Sequence, residues 1–425
     1  MTGEALPRLA GPALNAGNRN SGYRLCLAII LAITLLQKIA LPGTANALSV
    51  TTALVPSLVL LCWLCGRLRL DSHAFVLFAI FVLAAAASFV LNAGAEKVSP
   101  ASLALVCAVQ SILIFRPVTQ GGCRSGLSLF RDVMALFSVV GIAQFVLQRI
   151  VGTKLAFCVD FYFPAGMLLD KYNNIVPIYY GSEILRSNGV FFAEPAFFSQ
   201  FVGLATICEL LTLRRPVRLG IYAAALLCSY SGTGLITLAL FGCVWTVARG
   251  QFVYVLGALG AIGVVLLFGT ALEIDALTSR MGEFTTPNSS GHARFVSAFT
   301  LLDRVTFSDL AATLIGKGPG TITTYYERMP FLMFDPTWAK LLFEYGLIGF
   351  ISYFGFLYVT LKQANRSFLL PLLVTYLFLG GYLTDVTVIS LILVLGIYNQ
   401  DNRSIRFPGL EMPILSVESR RPKPA

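Results

Sequence analysis

The amino-acid sequence predicts an all-α polytopic membrane protein, with about 11–12 transmembrane helices and two long periplasmic loops. Three observations predict this. Hydrophobic residues make up 56% of the 425 residues and charged residues only 12%, with a mean hydropathy of +0.77. A soluble domain is about a quarter charged, so lipid must replace water around most of this surface. The apolar residues fall in runs near the roughly 20 that cross a bilayer. The basic residues behind the net charge of +10 stand singly or in twos and threes between those runs. That is the pattern of topology signals rather than of a nucleic-acid-binding stripe. The lipid bilayer is the expected partner, and no nucleic acid is.

Taken in order, the spans are 24–41, 48–65, 73–91, 101–115, 133–151, 196–213, 219–229, 235–248, 252–272, 338–361, 368–383 and 386–398. Segments 219–229 and 386–398 are short enough to be re-entrant. The polar N-terminus with Arg8, Arg19 and Arg24 precedes an uncleaved first helix, because so many spans follow it. No internal repeat is visible, so residues 1–425 read as one transmembrane domain with a tail at 400–425.

Seven of the nine cysteines lie inside apolar runs. Cys62 and Cys65 form a CxxC without a second pair, which reads as small packing residues and not as a metal site. Cys158 stands alone in a loop. No metal or cofactor is expected.

Basic residues orient the bundle. The segments that are cytoplasmic with the N-terminus inside hold Arg67, Arg69, Arg116, Arg131, Arg214, Arg215, Arg218 and Lys362, along with the basic residues of both tails. The opposite face receives most acids, including Asp160, Glu194, Asp309 and Asp335. This positive-inside pattern puts both termini in the cytoplasm and the long loops 152–194 and 273–337 outside. Both loops are rich in Phe, Tyr and Pro, which favours folding against the bundle.

Four segments carry residues suited to chemistry. Where the first long loop returns to the membrane, Arg186-Ser-Asn-Gly-Val-Phe-Phe-Ala-Glu194-Pro195 offers Arg186 as an anion ligand aimed by an Asn-Gly turn. Glu194 and Pro195 also suit a helix start. Ser231-Gly232-Thr233-Gly234 puts polar, glycine-rich backbone between two spans, either to cradle an anion or as a tight turn. The second loop holds Arg280, Ser290-Gly291-His292-Ala293-Arg294, Gly316-Lys317-Gly318-Pro319-Gly320 and Arg328. Its arginines have the planar fork that binds two phosphate oxygens. Finally, Asp335-Pro-Thr-Trp338 leads into a helix with Lys340 and Glu344. Asp335 suits an N-cap, and a carboxylate at Glu344 must face a cavity or a partner such as Lys340.

In these segments the chain resembles the bacterial O-antigen polymerase and O-antigen ligase family, including related exopolysaccharide polymerases. The matching elements are Arg-Ser-Asn-Gly-Val-Phe-Phe-Ala-Glu-Pro (186–195), Ser-Gly-Thr-Gly (231–234), Ser-Gly-His-Ala-Arg (290–294), Gly-Lys-Gly-Pro-Gly (316–320) and Glu-Tyr-Gly-Leu-Ile-Gly (344–349). They cover roughly residues 180–350, in family order.

The resemblance implies an inner-membrane, metal-independent, inverting glycosyltransferase of the multi-spanning class. Its donor is an undecaprenyl-diphosphate-linked glycan, and it works at the periplasmic face. A diphosphate is already a good leaving group, so positive charge to stabilise it is the chief requirement. Arg186, Arg280 and Arg294 are the expected diphosphate ligands, with Lys317 and Arg328 as lesser ones. Glu194, Ser231, Gly232, Thr233, Gly320 and Glu344 are expected to line the substrate. Ligase members carry a histidine near the start of the helix after the large loop, where this chain has Asp335. That departure points to polymerase over ligase. The general base is then Asp335 or His292, with Arg294 beside the latter.

The family also implies a chain-length regulator protein, for which the sequence shows no binding surface. A ligase acting on another acceptor and a twelve-span transporter are the competing readings. Against transport, the two halves do not match.

Overall fold

The computed structural model describes residues 16–45, 47–94, 97–118, 126–170, 172, 174–179, 181–249, 289, 292–293, 296–326, 328–329, 333–362, 364 and 366–398, with side chains from residue 22 except at 165, 244, 247–249, 366 and 367. Among them the apolar runs form helices α1 (Ala16–Leu35), α2 (Val50–Leu64), α3 (Ser72–Leu91), α4 (Pro100–Ser111) and α5 (Gly126–Leu147). Two short helices follow in the first long loop, α6 (Thr153–Ala156) and α7 (Cys158–Tyr162). Then come α8 (Pro195–Leu211), α9 (Pro216–Ser229) and α10 (Gly232–Arg249). The second long loop holds α11 (Ser297–Leu301), α12 (Leu310–Ile315) and α13 (Ile322–Tyr326). The bundle closes with α14 (Thr337–Leu361), α15 (Arg366–Phe378) and α16 (Val386–Leu391), which runs on into a π-helical turn at Ile392–Ile397. Helices α3, α5 and α14 are long and apolar enough to cross a membrane, and the architecture is that of an all-α membrane protein. The expected span 252–272 lies outside the described residues.

Helix ends follow local chemistry. Ser49, Asp71, Ser99 and Asp385 each accept a backbone N–H in the first turn of the helix they precede, which satisfies a donor the helix cannot. Pro100, Pro195 and Pro216 open α4, α8 and α9, where a missing N–H costs nothing.

Packing fixes which ends lie together. Helices α3 and α14 run antiparallel along an aromatic seam of Phe78–Phe356 (5.4 Å), Phe81–Tyr353 (5.0 Å) and Phe81–Tyr345 (5.9 Å). Helices α8 and α10 start at the same end and touch through backbone, since a Cβ on Gly203 would lie 2.9 Å from the Gly234 carbonyl oxygen.

One end of the bundle gathers arginines. There Arg116 reaches Asp71 (3.3 Å) and the Thr360 carbonyl (2.8 Å), Arg131 reaches Glu209 (3.2 Å), and Arg218 pairs with Asp132. Strands β1 (Leu68–Leu70) and β2 (Phe115–Pro117) pair antiparallel at this end. The opposite end carries both long loops and is called the loop end below.

Candidate functional site

The site is built on a helix that breaks. At Gly346 the backbone of α14 takes φ 62° and ψ −169°, a combination essentially reserved for glycine. The break frees the carbonyls of Phe343 and Glu344 from their helical partners. Loop amides replace those partners: Lys317 N–H donates to the Phe343 carbonyl (2.9 Å) and Gly318 N–H to that of Glu344 (3.0 Å). Ser88 Oγ, from α3, gives the Glu344 carbonyl a second bond (2.7 Å).

The motifs 316–320 and 344–349 therefore form one clasp. It is closed so tightly that a Cβ on Gly346 would lie 2.5 Å from the Gly316 nitrogen, and one on Gly316 would lie 2.4 Å from the Glu344 carbonyl oxygen. Asn92, the residue that closes α3, holds the loop from the other side, donating to the Gly316 carbonyl (3.2 Å), and Ser99 N–H donates to that of Pro319 (2.9 Å). Gly320 sits in this loop at φ +82°, against Ser99 and Ser102.

Three charged side chains lie above the break. Lys340 Nζ is 3.0 Å from Asp335 Oδ2 and 4.0 Å from Glu344 Oε1. Glu344 is fully buried, and neither carboxylate oxygen has a partner at hydrogen-bond geometry, although the amides of Gly320 and Ile322 face it. Burial, with Asp335 and Glu344 nearby, pushes the Tyr326 phenol well above its ordinary range.

Asp335 does not cap α14. Pro336 occupies the cap position and no side chain bonds the first turn, because the Asp335 carboxylate turns to Lys340 and lies against Gly381. A Cβ on Gly381 would sit 2.6 Å from Asp335 Oδ1. The turn after α15 holds this start in place: Thr337 N–H donates to the Gly380 carbonyl (3.1 Å) and Tyr382 N–H to Thr337 Oγ1 (3.1 Å). Asp335 keeps 24% of its side chain exposed, enough for a ligand to reach it.

The second-loop histidine segment joins the same place. Phe334 N–H donates to the Ala293 carbonyl (3.1 Å), and Ser297 Oγ donates to that carbonyl as well. Residues 292–293 are thereby tied to the residue preceding Asp335. Arg280 and Arg294 lie outside the described residues. Lys317 sets its ammonium 3.4 Å from Asp309, and Arg328 stands over the Tyr325 ring (5.7 Å).

The first-loop motif folds around a buried polar knot. Arg186 donates through Nε and Nη2 to the carbonyls of Pro177 (2.9 Å) and Ile178 (3.0 Å), so two of its donors brace the loop. Asn188 is bonded by Gln144 (2.9 Å) and donates to Asp160 (3.2 Å). Lys38 Nζ reaches both Asp160 oxygens (2.7 and 2.8 Å) and the Val190 carbonyl (2.8 Å). Burial pushes the Lys38 ammonium down to about 8 against the pull of Asp160. Val190 itself sits at φ 66°, a strained conformation for a β-branched residue.

Glu194 occupies the cap position of α8 without a side-chain bond to the helix. It lies near Tyr172, whose phenol is pushed well up by burial, then by Asp385 and Glu194. Ser231, Gly232, Thr233 and Gly234 form the turn and first residues of α10. Gly234 N–H donates to Ser199 Oγ (3.0 Å), and Ser199 Oγ donates to the Ser231 carbonyl (3.1 Å). This motif knits α10 to α8.

Sequence reasoning missed Ser88, Asn92, Lys38, Asp160 and Gln144. Their one signal was polarity inside or beside apolar runs. Among the described residues no group of three or more His, Cys, Asp or Glu is placed to hold a metal ion. No family model matches the chain, and no curated protein matches it.

Proposed function

We propose that the chain is a polysaccharide polymerase of the bacterial inner membrane, a multi-spanning glycosyltransferase that joins undecaprenyl-diphosphate-linked repeat units at the periplasmic face. One observation carries the reading: the hydrogen bond from Phe334 to Ala293, which ties residues 292–293 to the residue before Asp335, itself beside Lys340. Residue types for general-base work and anion binding thus meet at the loop end, where the sugar-bearing headgroup of a lipid-linked glycan would lie.

In this reading the acceptor hydroxyl attacks the anomeric carbon of the donor from the face opposite the diphosphate. The new carbon–oxygen bond forms as the old carbon–oxygen bond to phosphate breaks, and the configuration inverts. The leaving diphosphate keeps the electron pair, and nearby cations stabilise its charge. The hydroxyl proton passes to a carboxylate or imidazole within hydrogen-bond reach. Asp335 is assigned that role because it is partly exposed and oriented by Lys340. His292 is the second candidate.

Among the cations, Arg294, next in sequence to Ala293, takes the diphosphate together with Arg280 of the same loop. Arg186, with two donors on loop carbonyls, shapes the first loop in this reading. Glu344 and Gly320 belong to the floor of the site.

A transporter is the second reading, and a specific observation favours it: α14 is interrupted next to a buried Lys340–Glu344 pair, a combination transporters use for coupling ions. In cells that carry the chain's own polysaccharide pathway, Arg294→Ala should abolish long-chain product at normal protein abundance. Unchanged chain length in that variant would remove Arg294 from the mechanism.

A further inference from the structure

Helix α5 carries an exposed apolar stripe at Leu136, Val139 and Val146 that ends in Ile150, which is 72% exposed. The spacing keeps these residues on one side of the helix, and α5 is long and apolar enough to cross a membrane. Gly152, at φ +88°, then turns the chain sharply into α6 and α7.

The two short helices are two-faced. Ala156, Phe157 and Val159 are buried, and the first two pack on Leu185. Asp160 points inward to Lys38 and Asn188. The other face shows Leu155 at 57% exposure and Tyr162 at 62%, flanked by the exposed aromatic rings of Phe161 and Phe163. Arg149 and Lys154, both exposed, border it.

We infer that this face, residues 153–163, is seated in the interfacial region of the bilayer as a monotopic membrane anchor for the first long loop. Three features choose lipid over another occupant. The face follows directly in sequence on the exposed apolar stripe of α5, a helix long and apolar enough to cross a membrane. Beside apolar Leu155, Phe161 and Phe163 it presents Tyr162, a residue type that concentrates at the depth of the headgroups. Its two bordering cations match anionic headgroups, as in helices that lie along a membrane surface.

The anchor has a structural consequence for the candidate site. Asp160, on the inner face of the same helix, holds Asn188 and, through Lys38, the Val190 carbonyl. Seating the outer face in lipid therefore sets the height of the 186–195 motif relative to the membrane. The inference does not depend on the proposed activity.

The test is spin-label accessibility in nanodiscs containing anionic lipid, with single cysteines at Leu155→Cys, the native Cys158 and Tyr162→Cys, and Glu183→Cys as an exposed reference. Lipid seating predicts more frequent collisions with oxygen than with a water-soluble nickel chelate at positions 155 and 162, and the reverse at 183. Nickel-dominated collisions at 155 and 162 would overturn the anchor. If the background without the other cysteines does not fold, Phe161→Trp in the intact chain replaces it. Added fluorescence quenched by lipids brominated near the headgroup supports the anchor, and added fluorescence that such lipids leave unquenched rejects it.

Discussion

Replacing Gly346 by alanine tests the broken-helix clasp. The backbone there has φ 62° and ψ −169°, and the new methyl group would sit 2.5 Å from the nitrogens of Gly316 and Ile315 and from the Leu314 carbonyl carbon. All three are backbone atoms, so no side chain can swing aside to make room. Two outcomes are open to the chain. It can hold the clasp, at about 1–3 kcal/mol for the strained conformation with the clash added. Alternatively it can open the clasp and lose the bonds from Lys317, Gly318 and Ser88 to the freed carbonyls, at about 1 kcal/mol each. Either route destabilises the fold by about 3 kcal/mol.

Gly355→Ala in the same helix is the control. Nothing lies within 4 Å of its added methyl, and helix propensity favours alanine by up to about 1 kcal/mol. Denaturant unfolding of both purified variants in mixed micelles reads the difference. Equal stability of the two variants would refute the clasp as drawn.

Asp335→Asn should keep the fold and lose product formation, since asparagine preserves shape but takes no proton; full activity in a glycan-ladder assay would exclude Asp335 as the base. Lys340→Met leaves Asp335 and Glu344 without their cation and should cost about 3–5 kcal/mol, measured by the same unfolding experiment. For Lys38, whose native value of about 8 lies below its ordinary 10.5, the unfolded chain binds the extra proton between those limits. Stability should therefore rise from pH 8 towards 10.5 and fall as pH drops back through 8. Lys38→Met should be less stable throughout and show no rise in that window.

Much of the bundle was legible because hydrophobic runs and capping residues are local signals. The run 73–91 became α3 (Ser72–Leu91), and Pro195 opens α8 as its position suggested. The first span shows the limit. Hydropathy carried it to residue 41, yet α1 ends at Leu35, since the chain beyond it turns to pair Ile39 with Leu168 and Ala40 with Ser49.

The clasp itself left almost no trace. Its bonds join backbone groups of residues 317–318 to those of 343–344, and backbone pairing has no side-chain signature. Ser88 and Asn92 belong to no motif that singles them out in the sequence. Asp160 and Lys38 are 122 residues apart, too far for spacing to connect them. Asp335 read as a cap because Asp before a helix usually is one; Lys340, one turn on, draws its carboxylate away.

The proposed activity is the making of glycosidic bonds, and one measurement meets it directly. Purified chain in liposomes, supplied with a single lipid-linked repeat unit and no divalent metal, should yield a ladder of longer lipid-linked glycans. Counterflow of the intact lipid-linked unit, with no new glycosidic bond, would rule out the polymerase and turn the broken helix towards transport.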